Sequence, residues 1–230
     1  MKTIGLLGGM SWESTSHYYR AINQGVKCQL GGLHSAKLIL YSVDFQQIEQ
    51  LQHQGDWQQC ALLLSDAALA LQAAGAECLV IATNTMHKVA PQIEAQLEIP
   101  LLHIADATTL QLQRDGIRKV ALLGTRFTME QDFYKARVEE QSTIKVIVPN
   151  RDEQTLIHDI IYQELCKGVV SDASRQIYLR IIEGLADLGA EAVILGCTEI
   201  TMLVKQHDTE VPLYDTTQIH AQAAVDFSLE

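Results

Sequence analysis

Eight short runs rich in Val, Ile and Leu punctuate the chain, at residues 3–8, 37–43, 77–82, 100–104, 119–124, 144–148, 191–196 and 211–214. They lack strict apolar–polar alternation, so each reads as a strand covered on both faces, the condition of a parallel sheet. Between them, apolar residues recur at helical spacing over roughly 12–28, 57–74, 86–97, 107–115, 128–141, 153–166, 173–188 and 216–228. A shorter helix follows Ser42-Val43-Asp44-Phe45. Strand–helix alternation over the whole length predicts a doubly wound α/β architecture. The aromatic cluster Trp12, Tyr18 and Tyr19 is expected to pack the first helix into a core.

The pattern also repeats. Gly75-Ala76-Glu77 matches Gly189-Ala190-Glu191 at an offset of 114, and Ile4-Gly5-Leu6-Leu7-Gly8 resembles Val120-Ala121-Leu122-Leu123-Gly124 at an offset of 116. Glu98-Ile99-Pro100-Leu101 resembles Glu210-Val211-Pro212-Leu213 at an offset of 112. Three collinear matches at half the chain length indicate duplication of one α/β unit, not a solenoid, whose periods are far shorter. The expected fold is therefore two similar doubly wound parallel-sheet domains related by a pseudo-twofold axis. One half covers residues 1–100 and is completed by the C-terminal helix 216–230; the other covers 101–215, with the active site in the cleft between them.

Composition narrows the class. Of 230 residues 47% are apolar, enough for a packed interior, and 17 Lys+Arg against 28 Asp+Glu leave a net charge of -11. That balance disfavours a nucleic-acid partner, which needs clustered positive charge. The N-terminus lacks a secretory signal and no apolar run approaches membrane-spanning length, so a cytoplasmic, non-membrane protein is expected. Cys28, Cys60, Cys78, Cys166 and Cys197 show neither a disulfide framework nor zinc spacing, and each defaults to a small buried hydrophobe.

Only Cys197 strains that default. It stands immediately after a buried strand, in Leu195-Gly196-Cys197-Thr198-Glu199-Ile200, and the repeat lays Thr83, in Ile81-Ala82-Thr83-Asn84-Thr85, opposite it. In open parallel sheets ligands bind beyond the carboxyl ends of strands, at helix N-termini. Two such groups approaching one carbon from opposite sides is the arrangement that two-base proton transfer needs. Asn84, Thr85 and Thr198 add donors beside free backbone amides, suited to a carboxylate, and the same setting is expected to lower the Cys197 pKa. Gly8-Gly9-Met10-Ser11 and Gly124-Thr125 extend this anion cradle. No lysine has a convincing pyridoxal setting and no residues stand at metal-ligand spacing, so no cofactor is expected.

Three stretches carry a resemblance: Gly5-Leu6-Leu7-Gly8-Gly9-Met10-Ser11-Trp12-Glu13-Ser14-Thr15, Asn84-Thr85-Met86-His87 and Gly196-Cys197-Thr198-Glu199-Ile200. Together they resemble the aspartate/glutamate racemase family, most closely its enterobacterial amino-acid racemase branch. The resemblance implies cofactor-independent racemisation of an acidic amino acid by two cysteines, and a homodimer. The chain departs from it at one position, since Thr83 stands where the first catalytic cysteine belongs, and a hydroxyl is a far weaker acid than a thiol. Catalysis by Cys197 and Thr83 is then expected to be asymmetric between enantiomers. Met10, Gln52 and Thr125 fall where the resemblance puts substrate contacts. Lys167 either meets a substrate carboxylate or serves a helix C-terminus. His87 either orients the site or is structural, and Glu199 either holds a proton or faces a helix dipole. A single-cysteine malonate-type decarboxylase, a maleate isomerase and a non-catalytic amino-acid-binding protein remain as alternatives.

Overall fold

A computed structural model describes all residues from Met1 to Glu230. The chain divides into two compact units, Met1–Ile104 with Thr217–Glu230, and Ala105–Thr216. In chain order the first unit contains β1 (Ile4–Gly8), α1 (Trp12–Leu30), β2 (Leu38–Ser42), α2 (Phe45–Gln54), α3 (Trp57–Ala73), β3 (Cys78–Ile81), α4 (Ala90–Glu94) and β4 (Leu101–Leu102). The second runs α5 (Ile104–Arg114), β5 (Lys119–Gly124), α6 (Arg126–Glu130), α7 (Asp132–Glu140), β6 (Lys145–Ile147), α8 (Arg151–Gln163), α9 (Asp172–Asp187), β7 (Ala192–Gly196), α10 (Ile200–Leu203) and β8 (Leu213–Asp215). α11 (Thr216–Leu229) then returns to the first unit. No helix is long and apolar enough to cross a membrane.

Both sheets are parallel and share one topology, β2-β1-β3-β4 and β6-β5-β7-β8. The sequence repeat is visible atom by atom. Gly75 and Gly189 end the preceding helices at φ 98° and 90°, a conformation that costs an L residue but not glycine. Glu77 N–H then donates to Thr3 O at 2.8 Å, and Glu191 N–H to Lys119 O at 2.8 Å. The two carboxylates do equivalent work, Glu77 accepting from Thr3 N–H and Glu191 from Arg118 N–H, each at 2.6 Å. Pro100 O accepts from Leu79 N–H and Pro212 O from Val193 N–H, completing the third pair. The matched tripeptides are thus the joints that start the third strand of each sheet, β3 and β7.

Helices cover both sides of the first sheet. Leu7, Leu79 and Ile81 pack with Ile48 of α2 and Leu64 and Leu71 of α3. Ile4, Leu6 and Val80 pack on the other face with Tyr18 and Ile22 of α1 and Ala224 and Val225 of α11. In the second unit, Ala121, Leu123, Val193 and Leu195 pack with Ile157 and Ile161 of α8 and Ile182 and Leu185 of α9. Burying these side chains is the main favourable contribution to folding, about 25 cal/mol per Å² of apolar surface.

Several expectations are corrected. β2 is an edge strand paired only with β1, and Leu40, Tyr41 and Ser42 are exposed, so helices do not cover this run on both faces. Of the α1 aromatics only Tyr18 is core; Trp12 is 69% and Tyr19 53% exposed, since one helix face meets the sheet and the other does not. Cys28 and Cys166 are exposed, not buried; Cys60, Cys78 and Cys197 are buried. The segment around 86–97 is a 3-10 turn, Thr85–Val89, followed by the short α4, and Gln131 splits the helix around 128–141 into α6 and α7.

Candidate active site

In the first unit, the β1–α1 loop is pinned from both ends. Gly9, at φ 93°, donates its N–H to Thr15 Oγ1 at 2.8 Å. A Cβ there would lie 2.2 Å from Val43 O, so no other residue fits. Ser11 caps α1 by accepting Ser14 N–H, and Ser14 Oγ donates to Ala82 O at 3.2 Å, tying the start of α1 to the end of β3. Met10 is buried beside this loop.

Thr83 follows β3 and is half-buried. Its N–H donates to Ile81 O at 2.9 Å, a tight reversal that turns the chain into the 3-10 segment that Asn84 precedes. Asn84 and Thr85 are buried. His87 holds the turn: its Nδ1–H donates to Thr83 O at 2.8 Å while Nε2 accepts Ile104 N–H at 3.2 Å. Those partners fix one neutral tautomer. Burial, with His103 and His220 next, holds its pKa well below 6.5. His220 in turn accepts from Tyr18 OH at 2.9 Å and donates to Leu102 O at 2.6 Å. This buried Tyr–His network was not legible in the sequence, because its members come from four separate elements.

Gln52 of α2 is also buried. Its Nε2 donates to Met86 Sδ at 2.8 Å, and its Oε1 is buried without a partner. A buried amide oxygen without a partner costs about 1–3 kcal/mol.

In the second unit, Thr125 caps α6, its Oγ1 accepting from Thr128 N–H at 3.4 Å. Cys197 follows β7 and is 9% exposed. Its Sγ donates to Glu199 Oε2 at 2.9 Å. Thr198 O accepts from Thr201 Oγ1 at 2.7 Å, closing the turn into α10. Lys167 ends a 3-10 turn, is exposed, and donates from Nζ to Gln163 Oε1 at 2.9 Å.

The Cys197 pKa runs opposite to expectation. Burial pushes the thiol well above 9.0, and the Glu199 carboxylate pushes it further. The Glu199 N–H opposes them, but it is the smallest influence, and a helix of four residues offers little dipole. The resting group is a thiol whose proton already points at a carboxylate. No group of three or more His, Cys, Asp or Glu side chains is placed to hold a metal ion.

Thr83 and Cys197 therefore occupy matching positions, each the first or second residue past the strand third in its sheet, β3 and β7. Comparison with known proteins agrees with that duplicated plan. The family model for Asp/Glu/hydantoin racemases matches residues 7–224. A candidate Asp/Glu racemase from Yersinia pestis is 59% identical with a TM-score of 0.95, and an aspartate racemase homologue from Pyrococcus horikoshii OT3 is 35% identical with a TM-score of 0.88; each covers 100% of both chains. The broad specificity amino-acid racemase RacX of Bacillus subtilis (strain 168) is 22% identical over 96% of each chain. On this evidence the chain belongs to the Asp/Glu/hydantoin racemase family, and it is an isomerase of the racemase kind.

Proposed function

We propose that the protein is a cofactor-independent racemase of acidic amino acids, aspartate or glutamate, in which Cys197 and Thr83 serve opposite faces of the α carbon. The observation that carries the reading is the Cys197 Sγ–H to Glu199 Oε2 hydrogen bond of 2.9 Å. When Cys197 acts as base, its proton passes to Glu199, the thiolate takes the α hydrogen, and the thiol is restored. The resulting carbanion draws its stabilisation from donors around the α-carboxylate, for which Asn84, Thr85, Thr125 and Thr198 are the candidates. Met10, Ser11 and Gln52 border the substrate from the first unit, and Lys167 faces its side-chain carboxylate once released from Gln163. Protonation from the Thr83 side then inverts the centre, with the hydroxyl relaying a solvent proton.

The two enantiomers have equal free energy, so kcat/KM must be equal in the two directions whatever the chemistry of each face. Asymmetry shows instead in α-hydrogen exchange without inversion. The enantiomer presenting its hydrogen to Cys197 exchanges with solvent deuterium faster than its mirror image. Proton NMR of L- and D-aspartate and glutamate in D₂O, with native protein and with Cys197→Ala, tests this. Equal washout from both enantiomers, or washout unaffected by Cys197→Ala, overturns it. Turnover without added cofactor and in the presence of a chelator is expected, from a cytoplasmic homodimer.

One thiol instead of two favours a second reading, a carbanion enzyme such as a malonate-type decarboxylase or a maleate isomerase, since a single acid suffices to protonate one face. Carbon dioxide release from a malonate, with no α exchange from aspartate, would establish it. A non-catalytic amino-acid-binding role would show binding without exchange.

A further inference from the structure

In the second unit, beyond the carboxyl ends of β5 and β6, lies a cavity of about 730 Å³ that neither Cys197 nor its turn lines. Three cations from three helices meet there: Arg126 at the start of α6, Lys135 on α7 and Arg151 at the start of α8. Glu130 and Asp132 share the rim, and Arg126 Nε stands 3.9 Å from Glu130 Oε1. Lys135 and Arg151 have no carboxylate at ion-pair distance. In a chain of net charge -11, this is a local surplus of positive charge in a concave setting.

The wall supplies a second, independent sign of a ligand. Gln154, 6% exposed, lines the cavity; its Nε2 donates to Pro149 O at 2.6 Å, and its Oε1 is buried with no partner. Buried amide oxygens are nearly always satisfied, by protein or by something bound. Met129 and Val148 give the remaining wall an apolar character.

We propose that this cavity binds a small anion, a compact carboxylate or phosphate that also carries a hydrogen-bond donor. The negative group pairs with Lys135 and Arg151, and the donor meets Gln154 Oε1 once that amide, shut inside the wall at rest, turns toward the cavity. Nothing in this depends on the roles of Cys197 or Thr83.

Calorimetric titration of the full chain at low salt, with inorganic phosphate in one arm and glycolate in the other, tests it. Both probes carry a donor at pH 7, and the arm that binds tells which anion the cavity takes. One saturable site is expected in the native protein and in Cys197→Ala. Lys135→Gln and Arg151→Gln should each weaken it about tenfold, as loss of one charge-assisted hydrogen bond does, and the double variant should abolish it. Urea midpoints check that the variants remain folded, as expected for side chains at a cavity rim. Failure of both anions to saturate a site in the native protein overturns the proposal. So does binding that survives in the double variant, or that disappears in Cys197→Ala and so belongs to the catalytic residues.

Discussion

The Cys197 thiol gives its hydrogen to Glu199 Oε2 across 2.9 Å, so acid and base are neighbours on one turn, two residues apart in sequence. Glu199→Gln keeps the shape but replaces the basic carboxylate with an amide that cannot take the proton. Exchange from the Cys197-facing enantiomer should fall by about 10²–10⁴-fold, the range for losing a positioned general base. Because the lost carboxylate also raised the thiol pKa, thiolate absorbance near 240 nm should titrate at lower pH than in the native protein. An unchanged titration would mean that the two groups are not coupled.

Thr83→Cys places a thiol at the matching position after β3. The ratio of exchange rates between enantiomers should move toward unity, and overall racemisation should rise, because a thiol exceeds a hydroxyl as a proton donor. A ratio left at the native value would show that position 83 does not touch the α hydrogen.

His87 is held neutral by burial, so folding must exclude its proton. A histidine whose folded pKa is depressed stabilises the fold fully above its unfolded value, about 6.5, and that stability is lost as pH falls below it. Urea midpoints should therefore drop between pH 7 and 5, and less steeply in His87→Asn. At pH 7.5, His87→Ala leaves Thr83 O and Ile104 N–H without their partner and should cost about 2–4 kcal/mol, two unmade buried hydrogen bonds.

The buried thiols act in the opposite sense. Burial raises Cys78 to about 12 and Cys197 well above 9.0, so both favour the protonated fold. Their contribution is complete below pH 9.0 and is lost as pH rises toward 12. In native conditions at pH 7.5, a thiol alkylator followed by mass spectrometry should label the exposed Cys28 and Cys166 first, and Cys60, Cys78 and Cys197 far more slowly. Rapid labelling of Cys197 would contradict the protonated resting state.

Much of this fold is legible in the sequence. Runs such as Val120–Gly124 and Ala192–Gly196 announce strands because burial on both faces leaves no polar position, and Glu77 and Glu191 announce the joints by recurring with their Gly-Ala partners. The positions of Thr83 and Cys197 followed from those strands. What escaped was set by neighbours that sequence does not reveal. Only sheet order makes β2 an edge, and the contact of Gln52 with Met86 joins positions 34 apart. The protonation of Cys197 escaped because burial and a carboxylate outweighed the helix terminus that the motif suggested.

The return of α11 to the first unit imposes an order of assembly. Lys2 N–H donates to Ser228 O at 2.8 Å, and Tyr18 meets His220, so one face of the first sheet, which α1 and α11 cover together, stays half-covered until residues made after the whole second unit have appeared. During synthesis the later-made unit can close its core first. The N-terminal sheet must wait with Ile4, Leu6 and Val80 covered by α1 alone, and this is the stage at which the nascent chain is most exposed to aggregation.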